Sequence, residues 1–128
     1  MSDVFIQQMD CLDLVIRDIL QVCAVIGSEF SLLEVVTITE QRLRVIDNTA
    51  RFEHAQSTHS SLDIAVQEQI LEEAPEGAKT IHHLKHPYPN LNKIYRFRHN
   101  RWRESVLEMM LERRKLELQE MINKLRQE

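Results

Sequence analysis

Tyr95-Arg96-Phe97-Arg98-His99, running directly into Asn100-Arg101-Trp102-Arg103-Glu104, decides the fold of this chain. Tyr95, Phe97 and His99 alternate with Arg96 and Arg98, which is the period of a strand with one buried face. Asn100 offers a helix cap, and from Arg101 to Arg126 there is no Gly or Pro to stop a helix. A short strand feeding a long amphipathic helix, in a chain otherwise rich in helix formers, points to a small winged-helix-like module.

Working upstream, His86-Pro-Tyr-Pro-Asn-Leu-Asn92 reads as a loop, because its prolines fix φ and remove donors. Residues 79–84 before it can be extended, so the spacing predicts a hairpin over 79–99. A third helix is expected at about residues 61–74, with Leu62, Val66 and Ile70 on one stripe and Ala65 beside it. The polar run Ser57–Ser61 reads as the break before that helix, and Pro75-Glu-Gly77 as its end. Ser31-Leu-Leu-Glu34 matches a capping box, with Phe30 placed to staple onto Val35. The helix it opens carries Leu32, Leu33, Val35, Val36 and Ile38. The β-branched cluster Thr37–Thr39 leaves its continuation through Leu43, Val45 and Ile46 open. Leu12 to Ile26 is the first helix, with Val15, Ile16, Ile19, Leu20 and Cys23 on its apolar side and Gly27 as a left-handed cap.

With 128 residues, the chain suits one domain with its own core: a helical part over 1–78, a hairpin over 79–99 and a long C-terminal helix over 100–128. A hydrophobic fraction of 43% with only two Gly and three Pro excludes a linker-rich or disordered chain. No apolar run approaches membrane-spanning length and no secretory leader is evident, so a cytoplasmic protein is expected. Cys11 and Cys23 lie in apolar helical runs and read as buried thiols. Charge is unevenly placed: net −10 over residues 1–78, +7 over 79–103 and −1 over 104–128. A basic band of this kind attracts anions, or the protein's own acidic half.

Cys23-Ala-Val-Ile-Gly-Ser-Glu-Phe-Ser31, then Tyr95-Arg-Phe-Arg-His99, then Arg103-Glu-Ser-Val-Leu-Glu-Met-Met-Leu111 resemble a region of large signal-transduction ATPases. The resemblance is to the arm that follows the AAA-type ATPase core in proteins fused to class III adenylate cyclase domains, soluble (type 10) adenylate cyclases among them. It covers roughly residues 10–36 and 94–125, with Gly27, Phe30, Tyr95, Phe97 and His99 as its structural positions. The family often has a His in the last helix, where this chain has Gln119. The resemblance implies a non-catalytic linking or regulatory module in cyclic-nucleotide signalling, partnered by an ATPase or cyclase core in cis or in trans. It also implies that His99 caps the final helix or packs beneath it.

No catalytic constellation, cofactor site or metal set emerges from the residues. There is no Gly-x-x-x-x-Gly-Lys-Ser/Thr phosphate loop. His82, His83 and His86 lie in or beside a proline-rich turn, and with His99 they lack the Cys or carboxylate needed to complete a tetrahedral metal site. Glu72, Glu73 and Glu76 read as a solvated acidic cluster rather than an acid–base pair. Arg96, Arg98, Arg101, Trp102 and Arg103 interleave base with aromatic, as nucleic-acid surfaces do. The expected third helix, however, carries Asp63, Glu68, Glu72 and Glu73 and no Lys or Arg, which opposes docking on phosphate.

Leu111, Leu118 and Leu125 repeat every seven residues, with Leu107 and Met121 on the complementary seam and Arg114 interrupting it. Leu111, Leu118, Met121, Ile122 and Leu125 are therefore candidate interaction residues, and a homo-oligomer through 107–125 is the competing reading. A nucleic-acid binder using the wing is the third.

The strand register has a direct test. Phe97→Ala is expected to cost about 3–5 kcal/mol and Arg96→Ala about 0.5 kcal/mol or less, read from denaturation midpoints. Equal losses would mean that the register is wrong.

Overall fold

The computed structural model describes residues 7, 8, 10, 12–75, 86–89 and 91–127. Leu14–Ile26 forms α1, followed by β1 (Glu29–Ser31), α2 (Leu32–Leu43), α3 (Asn48–Gln67), β2 (Leu71–Glu73), β3 (Ile94–Phe97), α4 (Asn100–Met109) and α5 (Glu112–Gln127). The protein is mainly helical and winged-helix-like. Helix, strand, helix, helix and two further strands follow one another, and the sheet is antiparallel with order β1-β3-β2. Phe30 pairs with Tyr95, and Leu71 with Phe97.

The central helix is α1. It touches α2, α3, α4, α5 and β1, so Val22 and Ala24 are buried along with Ile16, Ile19, Leu20, Cys23 and Ile26. Val15, expected on the apolar side, is exposed. The end of α1 is held from afar. Arg103 Nε donates to the Ala24 carbonyl at 2.9 Å and Arg126 Nη2 to that of Ile26 at 3.3 Å. Two guanidinium groups thus satisfy carbonyls at the negative end of the helix dipole. Gly27 stops the helix with φ 156° and ψ −169°. This is a positive-φ extended conformation available essentially to glycine alone, not the left-handed cap expected.

The capping box at Ser31 is complete. Glu34 N donates to Ser31 Oγ at 3.1 Å, and Ser31 N donates to Glu34 Oε1 at 3.0 Å. Two more free donors of the first turn of α2 are used by the chain entering β3: Leu32 N bonds the Lys93 carbonyl and Leu33 N that of Leu91. The helix runs on to Leu43 and stops at Arg44, which is left-handed with φ 56°. Val45 and Ile46 lie outside it.

Three expectations are corrected. The third helix starts at Asn48, where Ala50 N donates to the Asp47 carboxylate. The run Ser57–Ser61 is therefore inside a helix. Its inward face adds Ala55, Thr58 and Ser61 to Leu62 and Ala65, and these three are too small or too polar to register as an apolar stripe. Second, the helix ends at Gln67 rather than near Pro75. Gln69 at φ 64° turns the chain, and Leu71–Glu73 pairs as a strand. Within the described residues β3 therefore pairs with β1 and β2; residues 79–84, expected to be extended, lie outside them. Third, His99 is exposed at the N-cap of α4 and makes no side-chain cap bond, while Asn100 bonds Glu104. Tyr95 and Phe97 are buried and Arg96 faces out.

The C-terminal helical segment also bends. Met110 is extended at φ −86° and ψ 145°, and separates α4 from α5 with no Gly or Pro present. The bend sends α5 back across α1 and α2, burying Leu118, Ile122 and Leu125. Burial of three such side chains stabilises by about 1.5–3 kcal/mol each, which outweighs the few helical hydrogen bonds forgone, at about 1 kcal/mol each.

A Cβ on Gly27 would meet only Glu29 backbone atoms, at 3.6 Å and 4.0 Å, which are ordinary contacts. Gly27→Ala is thus expected to destabilise through backbone strain alone, by about 1–3 kcal/mol, without altering the fold. A lowered urea midpoint with an unchanged circular dichroism spectrum is the anticipated result.

Candidate functional site

The densest group of titratable side chains lies where the last turn of α2, the first half of α3 and the turn 86–89 converge. Glu40 is buried at the end of α2. Arg51 Nε donates to Glu40 Oε2 at 3.3 Å, and His86 Nε2 bonds Oε1 of the same carboxylate. Each oxygen of the buried acid therefore has its own partner, as a buried carboxylate requires. Tyr88 N donates to His86 Nδ1 at 3.1 Å. Because a backbone N–H can only donate, Nδ1 is an acceptor and the His86 proton sits on Nε2, aimed at Glu40.

Alongside, the Thr39 hydroxyl lies 2.9 Å from the Val35 carbonyl, 3.1 Å from that of Val36 and 2.7 Å from His54 Nε2. The hydroxyl has one proton, which goes to a carbonyl, so His54 donates to Thr39. Burial pushes His54 below the ordinary histidine range; Glu40 pulls it up and His86 adds to the depression.

Further along α3, His59 Nδ1 is 2.9 Å from the Tyr88 hydroxyl. The Tyr88 ring meets Phe52 edge-on at 5.1 Å between centroids. Tyr95 donates to Asp63 at 3.4 Å, and burial, reinforced by Asp63 and Glu73, pushes its phenol well up. Lys93 Nζ is 2.8 Å from Glu73 and 3.9 Å from Asp63, and stands 5.8 Å from the Tyr95 ring centroid. The hydrogen bond to Glu73 raises the Lys93 pKa.

This network fastens a turn to two helices. The Thr39 hydroxyl is buried and occupied, and the Cys23 thiol is buried and pushed up by desolvation. Among the described residues no group of three or more His, Cys, Asp or Glu side chains is arranged to hold a metal ion. His82, His83, Glu76 and Cys11 lie outside the described residues.

Two cations of the basic band, Lys93 and Arg96, meet the protein's own acids, while Arg98 and Arg101 are exposed. Arg96 lies 2.6 Å from Glu72, Lys93 pairs with Glu73, and Arg103 is spent on the end of α1. Trp102 is buried, so its indole offers no face to a base. The exposed positions of α3, among them Thr49, Phe52, Glu53, Gln56, Ile64 and Gln67, include no cation. Arg51, which enters with the longer helix, is bound to Glu40.

The five candidate interaction residues all follow the bend at Met110 and differ in exposure. Leu118, Ile122 and Leu125 are 1%, 4% and 3% exposed, and Met121 is half-buried against the same core. Leu111 alone stands out in solvent, at 76%. From Leu118 onward the heptad seam is thus turned inward on this chain. Phe30, one of the family-like positions, packs on Tyr95 and Phe97 with ring centroids 6.3 Å and 5.9 Å apart. Gly27 forms the turn between α1 and β1.

Among the described residues, no helix is long and apolar enough to cross a membrane. Compared with protein-family models, curated proteins and solved structures, the chain matches none.

A lowered His54 pKa in the folded state means that the unfolded chain binds this proton more readily. Its contribution to stability is whole above the unfolded histidine value of about 6.5 and is lost as pH falls through the lower folded value. His54→Gln keeps a donor for Thr39 but cannot charge. Urea midpoints measured across acid pH are expected to fall less steeply for His54→Gln than for the native chain.

Proposed function

We propose that this chain is a non-catalytic, cytoplasmic linking or regulatory module. Its partner is another protein, in the manner of the arm beside the ATPase core of the signalling ATPase–adenylate cyclases that its sequence resembles. The observation carrying this reading is the surface of α3, the helix that enters the DNA groove in nucleic-acid-binding winged helices. Here that surface is neutral to acidic, with Ile64 and Phe52 partly exposed. Such a face suits a protein partner better than a phosphate backbone.

The internal use of Lys93, Arg96 and Arg103 further weakens the nucleic-acid reading. Self-association through residues 107–125 is the weaker reading, because Leu118, Ile122 and Leu125 are inside the core and only Leu111 of the candidate stripe stands in solvent. No ATP turnover is expected from this chain, since its residues include no phosphate-cradling loop.

Titration against the purified nucleotide-binding core of an ATPase–cyclase fusion tests the reading by calorimetry. Saturable binding at about micromolar Kd, weakened by Ile64→Glu together with Phe52→Glu, is expected. Labelled duplex DNA is expected not to saturate over the range typical of non-specific binders, about 1–100 µM. Tight, steeply salt-dependent DNA binding lost on Arg98→Ala with Arg101→Ala would overturn the proposal.

A further inference from the structure

Among the described residues, the turn 86–89 is held by few polar bonds. Pro87 and Pro89 have no backbone N–H, so Tyr88 supplies the only backbone donor of residues 87–89. That donor goes to a histidine nitrogen, His86 Nδ1 at 3.1 Å. The acceptor exists only while His86 is neutral. A proton arriving on Nδ1 places an N–H opposite an N–H, and the bond becomes a repulsion.

We propose that His86 is a proton-operated latch: neutral, it holds Tyr88 against α3; protonated, it releases Tyr88 and uncovers Phe52. The groups facing His86 set the balance. From α2, Glu40 attracts the proton, and its bond from Nε2 survives protonation. From α3, Arg51 already neutralises Glu40, and His54 lies close enough for the charges to oppose each other. From its own turn, Tyr88 offers only donors to Nδ1. The carboxylate keeps the imidazolium in place, so the consequence falls on Tyr88.

Once Tyr88 loses its backbone bond, its ring contacts go with it. They are the edge-on packing on Phe52 at 5.1 Å and the hydroxyl bond to His59. Phe52 is 39% exposed even with Tyr88 over it. Its release adds an apolar surface on the outward side of α3. The core does not take part, because Leu91 and Lys93 remain tied by their carbonyls to Leu33 and Leu32. The device is thus a local change of surface on protonation, not unfolding. It rests on the geometry of the turn and stands independently of the role proposed for the module.

Amide protection factors measured by nuclear magnetic resonance test it, because they cancel the intrinsic pH dependence of exchange. Over whatever pH range the His86 ring shifts report protonation, Tyr88 protection is expected to fall about tenfold. Leu20, in the core, is expected to hold its protection. His86→Gln offers the same donor and acceptor without a titrating charge, and is expected to keep Tyr88 protected throughout. The ring ¹⁵N shifts of His86 in the native chain provide a second readout that needs no variant. Nδ1 is expected to gain its proton over the same pH range in which Tyr88 loses protection. Tyr88 protection that stays constant while Nδ1 becomes protonated, or that falls equally in His86→Gln, would overturn the latch.

Discussion

Burial of α1 on several sides, above all over Ile19–Ile26, is the constraint on which the rest of the structure depends. A helix that is apolar on more than one side cannot rest against a single partner. Here α2, α3, α4, α5 and β1 all pack on it, and Leu20, Val22, Cys23 and Ala24 are fully enclosed. The other elements occupy positions that this demand creates. The sheet closes one end, with Phe30 and Tyr95 sealing the space beyond Ile26. The bend at Met110 follows from the same need, since a straight C-terminal helix would leave the far side of α1 in water.

Electrostatics arrange themselves around that packing. The acidic first half and the basic band are joined strand to strand, with Arg96 across from Glu72 in the β2–β3 register. Exposed pairs of this kind add little stability individually, about 0–1 kcal/mol. Their effect is on what the surface offers, because cations engaged internally are poor phosphate contacts. The buried acid is handled differently. Glu40 receives both Arg51 and His86, so a charge that would be costly alone becomes the anchor of the turn 86–89.

How much of this was legible beforehand follows the chemistry of the individual residues. The first helix, the capping box at Ser31, the inward Tyr95 and Phe97 and the helical class were readable, because large apolar side chains and caps carry strong local signals. Most of α3 was not. Its inner face uses Ala55, Thr58 and Ser61, residues whose burial depends on how closely a neighbour approaches rather than on their own hydrophobicity. Strands β1 and β2, each three residues long, are defined by partners distant in sequence, so no local period announces them. The break at Met110 lacks Gly and Pro and is imposed by tertiary packing. The histidine site was invisible for a similar reason. Glu40, Arg51, His54 and His86 are spread along the chain, and only the packing of α2 on α3 brings them together.

The arginine clasp at the end of α1 bears on how this chain emerges from a ribosome. The carbonyls of Ala24 and Ile26 are made early, yet their partners Arg103 and Arg126 belong to the last two helices. The strand that completes the sheet, β3, is likewise synthesised long after β1. Contacts so far apart in sequence delay folding, since closure of the intervening chain must precede any gain from them. During synthesis the most apolar helix therefore waits with part of its surface uncovered, which is the condition in which nascent chains recruit chaperones.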